Sequence, residues 1–271
     1  TLLRKVSGAY YVCALICSPR FLALQVFFSV WQDVDFVNIL TMEPDGSIVL
    51  FYQIKGGSGA DMEMKRIILG CRTLEDELCA AMRACGCVDE VRWFESGLHN
   101  VPARLHGVLQ SMLDDCRGCD TVLLAMGVCG NAVSDLRTHD FQMVVPRADD
   151  CIGLLLGGAH RPVDSYFLTR GWLRGERNLW REYEHCIEKY GDKRGKRIFV
   201  AMFHNYNAVT LLNTGCFDME AAAAETREIA QRLKLQYLEQ AGSLSRLEAL
   251  LLGRWSADDF IITPPNGTLR L

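Results

Sequence analysis

From Met64 onward the sequence predicts an α/β fold, a parallel Rossmann-like sheet with helices on both faces, whose strand order the sequence leaves open. Three observations carry this. Short apolar runs alternate with stripes of helical period along the whole segment. One run, Thr121-Val-Leu-Leu-Ala125, is apolar at consecutive positions, as a strand buried on both faces requires. Three of the runs lead directly into loops that carry a cysteine, at Cys71, Cys129 and Cys151.

Taken in order, Arg66-Ile-Ile-Leu69 is a short strand closed by Gly70-Cys71. Leu74, Leu78 and Met82, spaced by Glu75, Asp76 and Glu77, then mark one face of a helix. Val88 to Phe94 is the next strand. The loop Glu95 to Pro102 feeds a helix with Leu105, Val108, Leu109, Met112 and Leu113 on one face, and Pro102 suits its first turn. Thr121–Ala125 is followed by the loop Met126-Gly-Val-Cys-Gly-Asn131, and Gln142-Met-Val-Val145 by Pro146-Arg-Ala-Asp-Asp-Cys151. Beyond these, helices are expected at Glu176–Tyr190, Met219–Leu233 and Leu244–Leu252. Strands are expected at Arg197–Met202, Lys234–Glu239 and Phe260–Thr263, with Tyr166 to Trp172 as a loop.

The first 63 residues read differently and are treated as a separate N-terminal segment. The apolar stretch Ala14 to Trp31 is broken by Pro19 and Arg20, so it falls short of the roughly 18 consecutive apolar residues of a membrane span. A buried helix or a strand pair is the simpler reading. Lys55-Gly56-Gly57 can also be encoded by a purine-rich ribosome-binding sequence just before Met62 and Met64, so a native start at one of these methionines is an expectation.

Composition narrows the function. Hydrophobic residues make up 49% of the 271, ample for a buried core, and 29 basic against 33 acidic residues give a net charge of −4. Without a long basic run or basic-aromatic interleaving, nucleic acid is not an expected partner, and neither is a membrane. No nucleotide-cradling, dinucleotide, zincin or serine-hydrolase motif is present. Twelve cysteines, with no secretory signal pattern at the start of the sequence as given, point to reduced thiols and a cytoplasmic location.

In an open parallel sheet, ligands bind outside the carboxyl ends of the strands, where helix N-termini gather. Cys71, Cys129 and Cys151 are placed there, and a helix N-terminus favours the thiolate that binds metal or attacks an electrophile. Three such thiolates can hold zinc with an open fourth position, or three irons of a four-iron cluster with one iron free. Their alternative is a small side chain that fits after a buried strand. His99 is a candidate fourth ligand or proton carrier, against a loop histidine bonded to backbone. Gly130 and Asn131 flank Cys129, while Arg147 and Asp150 offer anion capture or support beside Cys151. Trp172 is a candidate pocket wall, and His204 a weaker candidate of the same kind as His99. Cys85-Gly-Cys87 and Cys116-Arg-Gly-Cys119 lack a second pair at zinc-ribbon distance and read as structural.

Ile68-Leu-Gly-Cys71 with Leu74-Glu-Asp-Glu-Leu78, Gly97-Leu-His-Asn-Val-Pro102, Gly127-Val-Cys-Gly-Asn131, Pro146-Arg-Ala-Asp-Asp-Cys151, Leu168-Thr-Arg-Gly-Trp172 and the ending Leu252-Gly-Arg-Trp-Ser to Pro265 together resemble the bacterial and archaeal family known as domain of unknown function 1638. The resemblance spans Met64 to Leu271. It implies a cytoplasmic protein of anaerobes associated with corrinoid-dependent methyl transfer, with motif cysteines at Cys71, Cys129 and Cys151, and leaves the first 63 residues outside the family pattern. The expected function is thus a metal- or iron–sulfur-binding protein, an enzyme or otherwise, tied to one-carbon transfer. Its partners would be a small molecule, a corrinoid or methyltransferase components. The alternative is a non-catalytic accessory or cofactor-binding protein of such a system.

Overall fold

The computed structural model describes residues 65–175 and 179–271, together with the backbone of four strands nearer the start, β1 (Leu2–Val6), β2 (Ala9–Leu15), β3 (Phe36–Met42) and β4 (Ile48–Ile54). Contacts divide the chain into two units, Thr1–Glu63 and Met64–Leu271. In the first, the four strands form an antiparallel sheet in the order β1-β2-β4-β3. Residues 16–35, where the sequence allowed a buried helix or a strand pair, lie outside the described residues.

The second unit begins with β5 (Arg66–Cys71), α1 (Glu75–Cys85), β6 (Glu90–Phe94), α2 (Pro102–Asp114), β7 (Thr121–Ala125), β8 (Gln142–Pro146) and α3 (Cys151–Leu156). Strands β6, β5, β7 and β8 run parallel. The sheet is completed by β12 (Phe260–Thr263), antiparallel beside β8, giving the order β12-β8-β7-β5-β6. The hydrophobic runs explain the placement: Ile68, Leu69, Leu123, Leu124 and Val144 are fully buried, and each such aliphatic side chain contributes about 1.5–3 kcal/mol. α1 starts with Glu75, Asp76 and Glu77, which suit the positive end of the helix dipole. It stops at Gly86, whose left-handed φ of 64° lets the Cys87 N–H reach the Met82 carbonyl.

The single predicted sheet resolves into two. β9 (Ser165–Leu168), β10 (Ala208–Asn213) and β11 (Gln236–Ala241) form a separate parallel sheet in the order β11-β10-β9, covered by α7 (Met219–Leu233). β9 falls in the segment read as a loop, and β10 was not assigned. α4 (Arg170–Arg174) follows β9 directly, and α8 (Ser245–Leu251) packs back on α1. The expected strand at Arg197–Met202 is helical, within α6 (Asp192–Phe203), which pairs with α5 (Leu179–Tyr190). Its apolar run is amphipathic at helical period: Phe199 is buried while Val200 and Met202 are 64% and 58% exposed. A short apolar run cannot by itself separate helix from strand.

Chain order fixes where a ligand belongs. From β5 the chain passes to β6 on one side, and β7 and β8 are added on the other, so the connections after β5 and β7 leave in opposite directions. The crevice at their carboxyl ends is the topological switch point at which open α/β sheets bind ligands.

Candidate functional site

All three motif cysteines flank that crevice. Cys71 is the last residue of β5, Cys129 lies in the loop after β7, and Cys151 opens α3 after β8. The loops are tied to one another by backbone. The Val128 and Cys129 N–H groups donate to the Ala148 and Asp149 carbonyls at 2.8 and 2.9 Å. Only glycine fits at 127, because a Cβ there would lie 2.5 Å from the Asp150 carbonyl carbon. On the other side, Gly171 lets α4 approach the Thr73 carbonyl to where a Cβ would stand 2.0 Å from its oxygen, bringing Trp172 over the site.

Cys129, Gly130 and Asn131 have φ of 46°, 64° and 67°, three left-handed residues in a row. For Cys129 this conformation is strained by about 1–3 kcal/mol, and the Ala148 and Asp149 bonds hold it in place. The result is a sharp loop that carries the Cys129 sulfur back to the crevice. There the three thiols line one cavity, and Cys151 is close enough to both Cys71 and Cys129 for its titration to be coupled to theirs.

Cys71, Cys129, Cys151, His99, Asp150 and Trp172 line one cavity of about 250 Å³, with Thr73 and Gly130 also on its wall. The His99 Nδ1 faces the Ser96 carbonyl at 2.5 Å, so Nδ1–H is the donor there and Nε2 is the ring nitrogen left for another partner. Its ring stands 5.0 Å from that of Trp172, tilted by 60°. The Trp172 Nε1–H is buried and has no partner among the described residues. Asp150 caps α3, accepting from the Gly153 N–H at 2.7 Å, and its other oxygen pairs with the Arg161 guanidinium at 2.7 Å.

Electrostatics correct one expectation. The helix N-terminus was expected to favour thiolates, yet the Asp150 carboxylate already occupies that end of α3. Cys71 is held well above the ordinary thiol range, first by its bond to Cys151, then by burial and by the Cys151 charge. Cys151 is raised as well, first by its bond to Cys129, with burial adding; the Cys71 thiol and the Gly127 N–H pull the other way. Burial and close thiol neighbours thus keep Cys71 and Cys151 protonated. Three anions so close need a cation among them. Among the described residues, no group of three or more His, Cys, Asp or Glu side chains already stands in a metal-holding arrangement.

Other predicted residues fall elsewhere. Arg147 turns away from the cavity: its Nε–H donates to the Ala257 carbonyl at 2.8 Å, and the arginine beside Asp150 is instead Arg161. His204 follows α6 rather than a strand, and its Nδ1 meets the Ala201 carbonyl at 2.8 Å. It does not line the cavity, and neither does Asn131, which is exposed. The Cys116 and Cys119 thiols donate to the Met112 and Cys116 carbonyls at 3.1 and 2.9 Å, and burial pushes Cys119 up to about 11, as structural thiols. Cys87 donates to Asp89. Thr73, whose hydroxyl receives the Cys71 S–H at 3.4 Å, and Arg161 were missed. Thr73 could have been found from its place two residues after Cys71; nothing in the sequence marks Arg161.

All ten cysteines among the described residues are free, and none of the described helices is long and apolar enough to cross a membrane. No curated protein and no solved structure matches the chain. The family described as protein of unknown function (DUF1638) matches residues 93–251, a span that holds His99, Cys129, Cys151 and Trp172 while Cys71 precedes it. With more than half of its length matched, the chain belongs to the DUF1638 family.

Proposed function

We propose that this protein binds a soft metal, as zinc or as an iron–sulfur cluster, through Cys71, Cys129 and Cys151 at the switch point of its parallel sheet, in a reducing cytoplasm. The observation that carries the reading is the convergence of three thiols from three separate strand ends on one small cavity, with two of them buried and held protonated by their neighbours. Such a set takes up a cation by releasing protons. Cys129, half-buried on its loop, is the most accessible of the three ligands, whereas Cys71 and Cys151 are buried at the ends of β5 and α3.

His99 fits the site as a fourth ligand or as the proton carrier: its Nδ1–H is held by a backbone carbonyl, the usual partner of a metal-bound imidazole. Asp150, held by Arg161, supports the α3 end of the site. A metal here would supply a Lewis acid able to bind and deprotonate a thiol or water. The corrinoid-dependent methyl transfer that the family resemblance implies would use that ability, with the small molecule lodged against Trp172.

A second reading, a metal-free accessory protein that holds a cofactor in the same cavity, is favoured by the lack of a ready-made ligand arrangement among the described residues. Metal and acid-labile sulfide analysis of anaerobically purified protein decides. Bound metal in wild type, lost in Cys129→Ala with the fold retained, supports the metal reading. Equal metal content in the two, or none in either, overturns it.

A further inference from the structure

A second, larger cavity of about 790 Å³ lies against the thiol chamber and shares Phe94, Glu95 and Ser96 with it. A third, small space of about 10 Å³, roughly the room of a single water, also has Ser96 on its wall. It borders the chamber through Thr73, His99 and Trp172 and the larger cleft through Gly97 and Gly175. All three spaces share Ser96, in the loop after β6.

The chemistry of the large cleft is two-sided. Phe94, Leu98, Val108 and Met112 supply an apolar wall, built by β6, its loop and one face of α2. Three arginines supply charge, but two of them are engaged. Arg72 lies over the Trp93 ring at 5.6 Å, donates to Glu75 at 2.9 Å and stands 3.8 Å from Glu95, while Arg174 donates to Asp76 at 2.8 Å. Arg104, exposed on the first turn of α2, has no carboxylate partner among the described residues. Glu75 and Glu95 also line the cleft and would oppose a ligand with several charges.

We propose that this cleft binds a small organic anion, a single carboxylate or phosphate group on an apolar body, with Arg104 clamping the oxyanion and the Phe94, Val108 and Met112 wall taking the body. The planar fork of an arginine matches such an oxyanion, and an unpaired one at the rim of an apolar cleft is placed to use it. The proposal does not rest on the metal reading; the two cavities are joined only by the wall they share.

The test is titration of the full chain with 8-anilino-1-naphthalenesulfonate, an oxyanion on an aromatic body whose fluorescence rises in apolar surroundings. One saturable site is expected, weakened about tenfold or more by Arg104→Ala, as for loss of a charge-assisted bond, and partly restored by Arg104→Lys. Met112→Trp, which fills the cleft, should weaken it too. Competition by benzoate or by phenyl phosphate identifies which oxyanion is preferred. Affinity unchanged in both Arg104→Ala and Met112→Trp, or dye displaced by neither competitor, overturns the proposal. Because the readout needs no metal, a metal-free protein would leave this result standing.

Discussion

Glu77 is fully buried inside α1. One oxygen accepts from the Thr214 hydroxyl at 3.0 Å, and Oε2 has no partner among the described residues. Burial, aided by Asp76 and opposed by Thr214 and Arg174, raises this carboxyl from 4.5 to about 7. The sign follows from linkage. A group whose folded-state value is raised leaves stability intact below its unfolded value, and stability is lost as pH climbs from about 4.5 to about 7. A shift of that size corresponds to about 3 kcal/mol at 1.36 kcal/mol per pH unit. Glu77→Gln keeps an acceptor for Thr214 and cannot ionise, so it should be more stable than wild type by about 1–3 kcal/mol at pH 8 and nearly equal to it at pH 4.5. Urea unfolding of both proteins at pH 4.5, 6 and 8 measures the difference and cancels groups common to them. A difference that does not grow with pH would refute the reasoning, and would mean that Oε2 is solvated or paired.

Other consequences follow from the same packing. Gly127→Ala places a methyl against the Asp150 carbonyl and should destabilise the chain by about 1–3 kcal/mol, read by thermal melting; no change would mean that the two loops are not in contact. In metal-free protein at pH 8, iodoacetamide should label Cys129 well ahead of Cys71 and Cys151, which are buried and held protonated; peptide mapping that finds the three labelled alike would contradict the thiol arrangement. Leu123→Ala, at the centre of β7, should cost about 2–5 kcal/mol in chemical unfolding, and a cost below about 1 kcal/mol would question the burial of that strand.

How far these features were readable from sequence varies with their physics. The β5-α1-β6-α2-β7 succession was legible because each strand is a continuous apolar run and each helix a clean stripe, so local pattern and tertiary burial agree. β12 was legible as a strand but not as the antiparallel edge, since direction is set by the chain's return from α8. The second sheet was obscured because Ser165-Tyr-Phe-Leu168 is short and merges into Thr169-Arg-Gly-Trp172. Around Arg197–Met202 the apolar run suited either period. The placing of Cys71, Cys129 and Cys151 around one cavity was legible because each follows a readable strand of the parallel sheet. Arg161 and Glu77 were not recognised, because a partner eleven residues along the chain and a buried carboxyl in an acidic first turn leave no local mark. Arg147 misled because adjacency in sequence to Cys151 does not fix the direction of its side chain, which goes to the Ala257 carbonyl.

Cobalt titration of the metal-free protein under anaerobic conditions, followed by absorption, tests the central claim most directly, because thiolate-to-cobalt charge transfer reports the ligands themselves. The account predicts one equivalent bound with intense thiolate bands that weaken in each of Cys71→Ser, Cys129→Ser and Cys151→Ser, and binding that tightens as pH rises because protons are released. A weak spectrum of oxygen- and nitrogen-bound cobalt, or thiolate bands unchanged in all three variants, would contradict it.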